Sequence, residues 1–387
     1  MTSASAAVVG GGVIGASVAY HLAARGWRDV VVLDRAEGPG TGSTGAATGG
    51  FRAQYATAIN VRLSLLSREK LRRFREEIGV DPGYDPAGYL WLAGSEVELD
   101  ALRGALEIQH GAGLGEALEV GVEEATRLNA AVRLDEVVGG AFCPTDGFLR
   151  PLQMLAGYLD AARRLGVRVE WGVEVIGFGR GAGSKIDTVE TSRGPIAVEA
   201  VVNAAGAWAS SVAAQAGVEL PVTPLRRQIA VTAPTDLLPE RMPMTIFVGD
   251  GFHLRVRDGR VLLLWPTPGV PGRPFGTSVD PDWVEAVVAK AHARVPILRD
   301  ATIDFDACRA GLYEISPDKH SILGPAPECP NFYLINGSSG HGVMHAPALG
   351  QLLAEIMTDG AATTLDVTAL RPSRFAEGAL NPVSEML

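Results

Sequence analysis

The clearest fold signal lies in residues 6–34, which read AAVVGGGVIGASVAYHLAARGWRDVVVLD. A short apolar run at 6–9 is followed by a helical pattern from Val13 to Arg25 and by a second apolar run from Val30 to Leu33. Two apolar runs that flank a helix are typical of a βαβ unit in a parallel sheet, buried on both faces. We therefore predict an α/β protein.

Glycines punctuate this unit where the first strand would turn into the helix. Gly10, Gly12 and Gly15 form the pattern G-x-G-x-x-G. The first glycine permits a tight turn, the second lets the backbone approach a pyrophosphate, and the third allows close packing of helix on strand. Asp34 ends the second run, where a carboxylate can bind ribose hydroxyls. The pattern predicts a dinucleotide site that suits either NAD or FAD.

Further small-residue turns occur along the whole chain. They are the loop GPGTGSTGAATGG at 38–50, the turn AAGAW at 204–208, and the turn GSSGHG at 337–342 before a helical pattern. Several such turns, far apart in the sequence, indicate one long cofactor that contacts them all. This distribution favours FAD over NAD.

The remaining segments predict a mixture of helices and strands. We expect a long amphipathic helix over 59–78, mostly helix over 95–131, a helix over 151–165, an alternating strand over 167–176, β-rich structure over 221–304, and a closing helix over 348–357.

Composition and charge exclude several classes of protein. The 387 residues are 47% hydrophobic and 20% charged, with a formal net charge of −10, which argues against nucleic-acid or anionic-membrane binding. Cys143, Cys308 and Cys329 lie far apart, so we expect no metal site and no disulfide framework, and a cytoplasmic location. No apolar run reaches the roughly 18 residues of a membrane span, and the N-terminus lacks the basic region of a signal peptide.

Five motifs in order resemble the D-amino-acid-oxidase superfamily of flavoproteins, in particular its sarcosine oxidase, glycine oxidase and L-proline dehydrogenase group. They are VVGGGVIGASVAYHLAARG at 8–26, GSTGAATGGFRAQY at 42–55, VVNAAGAW at 201–208, GLYEISPDKH at 311–320 and GSSGHGVMHAPALG at 337–350. The resemblance covers nearly the whole chain. It implies FAD bound in an extended conformation.

The resemblance also implies two interleaved domains. A Rossmann-like FAD-binding domain of the glutathione-reductase type would comprise residues 1–85, 146–220 and 305–387. An α+β substrate domain with a mixed or antiparallel sheet would comprise residues 86–145 and 221–304 and lie over the flavin.

Residue by residue, the resemblance assigns a cofactor role to 24 positions of this chain. These are Gly10, Gly12, Val13, Ile14, Gly15, Asp34, Arg35, Ser43, Thr44, Gly50, Phe51, Arg52, Val175, Ala204, Ala205, Gly206, Trp208, Gly311, Leu312, Gly340, His341, Gly342, Val343 and Met344.

The sequence departs from some relatives in ways that change the expected chemistry. Gly311 stands where some relatives bond the flavin through a Cys, and residues 43–48 contain no His, so we expect non-covalent FAD. Met344 replaces a Lys that holds substrate in monomeric sarcosine oxidases. The strand 261–265 lacks the Lys that assists the reaction with oxygen, which makes oxidase activity uncertain. Arg260, just before this strand, is a cation that could replace it.

Four residues are catalytic candidates in this resemblance: Arg52, Tyr313, His253 and His341. Arg52 would clamp a substrate carboxylate through two parallel hydrogen bonds, unless it is an ordinary surface arginine. Tyr313 would line the substrate side, or else be a half-buried core residue. His253 could face the flavin, although a structural role is the simpler interpretation. His341 lies in the turn that would face the flavin.

Other charged residues stay open. Arg226, Arg227 and Arg255 could supply a second anion contact, but a solvated strand face would explain them equally well. His320 and His345 are interpreted as structural.

The expected reaction is FAD-dependent oxidation of an amino acid or a secondary or N-alkyl amino acid, such as sarcosine, proline or glycine. A hydride would pass from the α- or N-alkyl carbon to flavin N5 and leave an imine. The alternative is an FAD-bearing subunit of a hetero-oligomeric amine dehydrogenase that passes electrons to a partner subunit. A homo-oligomer is also open. A flavin monooxygenase lacks support because no G-D-A-x-H turn is present. A non-enzymatic FAD-binding module is a third alternative.

Overall fold

The computed structural model describes residues 2–181, 184–268 and 273–383. The strands, in chain order, are β1 (Thr2–Val9), β2 (Val30–Asp34), β3 (Gly50–Phe51), β4 (Tyr89–Ala93), β5 (Leu118–Val120), β6 (Gly139–Cys143), β7 (Gly147–Phe148), β8 (Arg168–Trp171), β9 (Val175–Arg180), β10 (Ile186–Thr191), β11 (Ile196–Asn203), β12 (Thr223–Val231), β13 (Met244–Phe247), β14 (His253–Arg257), β15 (Arg260–Leu264), β16 (Arg309–Ile315), β17 (Ile322–Ala326) and β18 (Cys329–Asn336).

Helices connect and cover these strands. In chain order they are α1 (Val13–Ala24), α2 (Ser43–Ala46), α3 (Ala58–Arg72), α4 (Phe74–Ile78), α5 (Glu96–Gly111), α6 (Val122–Leu128), α7 (Pro151–Arg164), α8 (Ala209–Gln215), α9 (Pro281–Arg294) and α10 (Gly342–Asp359).

The first sheet has the strand order β17-β18-β11-β1-β2-β8, and β10 and β9 extend it from β11. The pairs β18/β11, β11/β1, β1/β2 and β2/β8 are parallel, which confirms the βαβ unit and the parallel sheet. Parallel strands present their carboxyl ends at one edge. Gly10, Arg35, Ala204 and Gly337 follow the ends of four of these strands, so this edge collects the small-residue turns.

Alternating side chains of β1 and β2 pack into two separate cores. Ala6 and Val8 face α1 and α10, with Leu22 and Leu352 among their buried neighbours. Ala7 and Val9 face the opposite side, where α8, β9 and β10 contribute the buried side chains. The sheet is therefore covered on both faces, as continuous apolar strands require.

The second sheet has the strand order β16-β12-β15-β14-β13-β4-β6-β5. Its pairs are antiparallel except for β13 with β4, so the expected mixed sheet is present. One face packs on α9 through Leu254, Leu263 and Val287. The strand β16 belongs to this sheet, although a domain division at residue 305 would assign it to the dinucleotide-binding half. The division into domains remains a proposal.

Two expected helical regions and one expected strand differ in part from the structure, although 95–131 is mostly helix as expected. The helix expected over 59–78 is interrupted at Arg73, which separates α3 from α4. The region 95–131 contains the edge strand β5, which pairs with β6 and was hidden by its Leu- and Glu-rich sequence. The strand expected over 167–176 is two strands, because Gly172, with φ +65°, turns the chain between β8 and β9.

Two helices differ from the sequence expectation. The segment 221–304 includes α9, whose start is capped by the Asp280 side chain. The closing helix begins at Gly342, six residues before the expected start, and continues through Pro347. A proline inside a helix normally marks a boundary. Here α10 nevertheless continues through Pro347, and the Ser17 hydroxyl donates to the neighbouring Ala346 carbonyl at 2.8 Å.

Candidate active site

A cavity of about 910 Å³ lies between the carboxyl edge of the first sheet and one face of the second sheet. One row of paired residues runs across the second sheet on this face. The row consists of Trp91, Ile246, His253, Leu264 and Ile229, and all five line the cavity. Because these residues share one face, the cavity has a largely apolar wall.

The opposite wall contains the glycine turn, and its geometry tests whether a dinucleotide fits. A Cβ on Gly10 would lie 2.3 Å from the Ala204 carbonyl oxygen, and one on Gly15 would lie 2.0 Å from the Gly10 carbonyl oxygen. These two glycines are required by the fold. Gly12 is different, because a Cβ there would meet only the Thr44 hydroxyl, at 3.4 Å. The open side of Gly12 faces the cavity and leaves room for a pyrophosphate.

Asp34 is held in position by the backbone. Its Oδ2 accepts a hydrogen bond from the Gly11 N–H at 2.7 Å, and its Oδ1 accepts one from the Ala36 N–H at 2.8 Å. Each carboxylate oxygen keeps a further lone pair for a ribose hydroxyl. At the neighbouring helix start, the Val13 N–H donates to the Thr44 hydroxyl at 3.2 Å. These residues fit the adenosine end of FAD.

Trp208 closes the same end of the cavity through two stacking contacts. The Arg35 guanidinium lies 4.3 Å from its ring centroid. The Phe275 ring is nearly parallel to it, at 8° and 5.5 Å between centroids. Trp208 thus joins the turn after β11 to a segment that follows the second sheet's strand β15.

The loop at 38–50 is tied to the strand β16. The Ser43 hydroxyl donates to the Leu312 carbonyl at 2.6 Å. A Cβ on Gly311 would lie 2.8 Å from the Ala46 methyl group, so little side-chain volume is available at this point. Ser43, Thr44, Gly311 and Leu312 all line the cavity, as expected from the sequence.

Arg52 is 5% exposed and lies in the cavity wall, so it is not an ordinary surface arginine. Its Nη1 donates to the Gln54 carbonyl at 2.6 Å, and its Nη2 lies 3.2 Å from His341 Nε2. The guanidinium carbon also lies 4.0 Å from the Tyr55 ring centroid. These contacts fix the plane of the guanidinium and leave other N–H groups for a ligand.

Asp146 anchors the backbone that follows Arg52. Its carboxylate accepts from the Ala53 N–H at 2.7 Å and from the Gln54 side-chain amide at 3.1 Å. Burial raises the pKa of Asp146 to about 6, while those hydrogen bonds and the charge of Arg52 act in the opposite direction. Asp146 could not be singled out from its sequence neighbours, because its role depends on a contact 93 residues away along the chain.

His341 and Tyr313 meet at the turn before α10. Gly340 has φ +94°, and a Cβ there would lie 2.5 Å from the Tyr313 ring, so only glycine fits under this ring. Burial, and then the charge of Arg52, hold the pKa of His341 well below its ordinary value. The neutral His341 can accept a hydrogen bond from Arg52 at Nε2 and so orients the guanidinium.

His253 reaches the cavity from β14, so the structure places it where a contact with a ligand is possible. Its Nδ1 lies 2.8 Å from the Gly251 carbonyl, which makes Nδ1 the donor and leaves Nε2 as an acceptor. Burial lowers the pKa of His253 to about 4. At neutral pH the ring is uncharged. Its Nε2 can accept a hydrogen bond but does not readily take up a proton.

All four catalytic candidates therefore line one cavity, together with most of the expected cofactor residues. Gly15 and Phe51 do not line it. Gly15 packs against Gly10, and Phe51 is fully buried, 5.4 Å between ring centroids from Tyr84, in a neighbouring core. The strand β3 thus turns the Phe51 side chain away from the cavity, and a cofactor role for this residue stays a prediction.

Several side chains left open in the sequence have clear positions. Arg260 pairs with Asp304 at 2.7 Å, outside the cavity lining. His320 bonds to the Thr57 hydroxyl at 2.9 Å, and His345 bonds to the Ser64 hydroxyl at 2.9 Å, which agrees with structural roles.

Arg226 and Arg227 are neighbours in β12, so their side chains lie on opposite faces of the second sheet. Arg227 lines the cavity, whereas the Arg226 Nη1 donates to the Ser278 carbonyl at 2.7 Å. Arg255 is buried and donates to the Thr48 carbonyl at 2.9 Å, outside the cavity lining.

Sequence reasoning missed other residues of the cavity wall, namely Trp91, Glu314, Lys319 and Trp265. Trp91 lies in a strand that is buried on both faces, so its sequence shows no polar alternation. Glu314 is 8% exposed, and its Oε2 has no partner among the described residues. The signal that could have identified Glu314 was a carboxylate between two apolar residues of a strand.

The described residues show neither a candidate membrane span nor a candidate metal site. No helix there combines the length and apolar character of a membrane span. No group of three or more His, Cys, Asp or Glu side chains there has the arrangement of a metal site. The three cysteines are buried and unbonded to each other.

Comparison with known proteins gives one family match and several full-length relatives. The family model described as DAO, FAD dependent oxidoreductase, matches residues 5–356. Glycine oxidase from Geobacillus kaustophilus is 29% identical over 91% of this chain and 92% of its own length. The crystal structure of L-proline dehydrogenase from P. horikoshii superposes with a TM-score of 0.91 and 29% identity, covering 98% of this chain and 100% of that one.

Some relatives are much longer than this chain. Human mitochondrial dimethylglycine dehydrogenase is 28% identical over 99% of this chain, but the match covers 45% of that protein. The chain thus spans about half the length of the first curated relatives it matches.

Proposed function

Because this chain belongs to the DAO family of FAD-dependent oxidoreductases, we propose that it oxidises an amino acid or a secondary or N-alkyl amino acid. The observation that carries the proposal is Arg52. This guanidinium is almost fully buried in the wall of the same cavity that is lined by the glycine turn at Gly10 to Gly12. A cofactor along that turn and a carboxylate on Arg52 would share one cavity. Sarcosine, proline and glycine represent the proposed substrate class.

Arg52 is proposed to orient the substrate through its carboxylate. A bidentate arginine–carboxylate contact fixes both distance and plane. His341 and Gln54 hold the guanidinium before substrate binds, so little conformational freedom is lost on binding. The contact between Arg52 and the carboxylate would then position the reacting carbon, so no further residue is needed to hold it.

The apolar wall is proposed to keep the amine neutral. Trp91, Ile246 and Leu264 cover the face opposite the glycine turn, and a desolvated site disfavours an ammonium ion. His253 is uncharged and offers Nε2 as an acceptor for the substrate N–H. No strong base is needed, because the amine can lose its proton to water on binding.

When bound, FAD accepts the two electrons released as the carbon–nitrogen single bond becomes an imine. The proposed cofactor residues are the glycine turn, Asp34, the loop around Ser43 and Thr44, and the turn from Gly340 to Met344. The N-terminus of α10 favours negative charge near that last turn. The imine would hydrolyse in water, or remain cyclic when the substrate is of the proline type.

Anaerobic titration tests this function. The FAD-loaded protein is mixed with a panel of amino acids and N-alkyl amino acids, and the flavin absorbance is followed. We expect at least one carboxylate-bearing amine to bleach the flavin. A protein whose flavin is bleached by dithionite but by no amine of the panel would instead be an FAD-binding module.

We expect the FAD to be non-covalent. Gly311 and Ala46 leave no room for a thiol link, and no cysteine lines the described part of the cavity. Acid precipitation of the protein should leave all flavin absorbance in the supernatant. Yellow colour that stays with the washed pellet would contradict this prediction.

We further expect the reduced flavin to react slowly with oxygen. The strand β15 and the residue after it contribute Leu264 and Trp265 to the cavity but no lysine, and Arg260 is bonded to Asp304. A fixed cation beside the flavin stabilises developing superoxide. Stopped-flow mixing of substrate-reduced protein with oxygenated buffer should give reoxidation slower than turnover with a dye acceptor. Reoxidation at the turnover rate would reveal an oxidase, and loss of that rate in Arg227→Gln would identify its cation.

Slow reoxidation by oxygen would favour the second candidate, a subunit that passes electrons to a partner protein. Gel filtration at several concentrations, followed by dye-linked activity of each fraction, would separate a self-sufficient enzyme from one that requires another chain. A cytoplasmic location is proposed from the three free cysteines.

A further inference from the structure

Two guanidinium groups face the same part of the cavity. The Arg227 Nη1 donates to the Thr267 carbonyl at 2.6 Å, and its guanidinium carbon lies 5.7 Å from the Tyr313 ring centroid. The ladder between β12 and β16 pairs Arg227 with Gly311, so its side chain shares a sheet face with Tyr313, two residues further along. Tyr313 packs on Gly340, and the next residue, His341, contacts Arg52.

Within the described part of the chain, no carboxylate is paired directly with either of these two groups. Neither Arg52 nor Arg227 forms an ion pair there; each donates to a backbone carbonyl instead. Burial lowers the pKa of Arg227, because removal from water disfavours the charged form. His253 and His341 are neutral, so the excess positive charge of this part of the cavity belongs to the two arginines.

Among the described residues, none of the acidic groups around the cavity forms an ion pair with Arg227. Asp34 and Glu174 line the cavity, but Asp34 accepts from the Gly11 and Ala36 N–H groups at the glycine turn. The buried Asp146 interacts with the charge of Arg52.

Glu314 accepts a hydrogen bond from the Ser338 N–H at 3.3 Å and forms no ion pair, and burial raises its pKa to about 7. Lys319 and Arg35 are exposed, so water screens their charges. A ligand with one carboxylate, bound to Arg52, would still leave Arg227 without an anion.

We propose that the substrate of this site carries a second carboxylate, which Arg227 binds while Arg52 binds the first. The second carboxylate would stand on the nitrogen substituent or on the side chain of the amino acid. This inference rests on the proposed function and narrows it to dicarboxylic amino acids and N-carboxyalkyl amino acids. One buried and one half-buried guanidinium fork in the wall of the same cavity match two carboxylates better than one.

The test uses thioethers, in which sulfur replaces the reacting nitrogen, so that binding is measured without turnover. In each of two matched pairs, a methyl group replaces the second carboxylate: thiodiacetate against (ethylthio)acetate, and 3-(carboxymethylthio)propanoate against (propylthio)acetate. Dissociation constants are taken from the change in flavin absorbance of the FAD-loaded protein. They are measured for the wild type, Arg227→Gln, and the matched control Arg226→Gln, whose side chain bonds to Ser278 on the other sheet face.

We expect at least one dicarboxylate to bind the wild type roughly 10- to 100-fold more tightly than its monocarboxylate partner, as a charge-assisted hydrogen-bond pair provides. Arg227→Gln should remove this preference and change monocarboxylate binding much less. Arg226→Gln should keep the preference. The inference is overturned if neither dicarboxylate is preferred by the wild type, or if the preference survives in Arg227→Gln.

Failure of this inference is distinguishable from failure of the proposed function. If monocarboxylates perturb the flavin and lose affinity in Arg52→Ala, the function stands even when the second carboxylate adds nothing. If no carboxylate perturbs the flavin and no amine bleaches it, both proposals fail together.

Discussion

Replacing Arg52 with alanine is expected to lower kcat/KM for an amino-acid substrate by roughly a hundredfold. A charge-assisted bidentate contact is worth about 3 kcal/mol, and each 1.4 kcal/mol corresponds to a factor of ten. Arg52→Lys should also lose activity, because an ammonium cannot reproduce the planar fork. The measurement is steady-state kinetics with a dye acceptor, at equal FAD content for all variants.

Substrate esters provide the control for this prediction. A methyl ester lacks the carboxylate, so it should be a poor substrate for the wild type and lose little further activity in Arg52→Ala. Because Arg52 also bonds to Gln54 and His341, flavin absorbance and thermal unfolding should be compared first. An Arg52→Ala protein that folds, binds FAD, and keeps wild-type kcat/KM for the acid would refute the assignment.

Replacing Arg374 with methionine is expected to destabilise the protein by about 3–5 kcal/mol, the usual cost of leaving one member of a buried ion pair uncompensated. The Arg374 side chain and Asp318 are both fully buried. The Arg374 Nε and Nη2 donate to the two Asp318 oxygens at 2.8 and 2.9 Å, and Asn381 donates to the same carboxylate. The pair ties the C-terminal segment to the turn after β16. Urea unfolding of the FAD-loaded protein measures the change.

The chain offers a matched control three residues away. Arg371 pairs with Glu377 on the surface, so Arg371→Met should destabilise the protein much less than Arg374→Met does. The double variant Arg374→Met with Asp318→Asn should lose less stability than the sum of the two single variants, because no buried charge is then left alone. Equal losses of stability for Arg374→Met and Arg371→Met would show that the buried ion pair stabilises the protein no more than the surface pair does.

The same pair predicts a dependence on pH. Burial by itself raises the pKa of Asp318, but the hydrogen bonds from Arg374 and Asn381 outweigh it and hold the pKa well below the ordinary value. A carboxyl whose pKa is lower in the folded state stabilises that state above its unfolded pKa, about 3.9 for aspartate. The stability difference between wild type and Arg374→Met should therefore be largest near neutral pH and shrink as the pH falls below 4.

Local patterns predicted the dinucleotide half well. The glycine turn, the helix α1 and the carboxylate Asp34 lie within one βαβ unit, so their geometry follows from contacts over a short stretch of chain. The helix α9 and the true start of α10 were not predicted. The helix α10 starts at Gly342 and continues through Pro347, so it begins six residues before the start that was predicted from the sequence.

By itself, the sequence determined that this protein has a parallel sheet with a dinucleotide turn and that Arg52 follows the cofactor loop, because both are written in continuous motifs. Only the tertiary structure decided which arginines share the cavity. The sequence did not distinguish among Arg226, Arg227 and Arg255, yet of these three only Arg227 lines the cavity. Strand pairing chooses the face that each side chain occupies, and a partner such as Gly311, 84 positions further along (311 − 227), cannot be read from neighbouring residues.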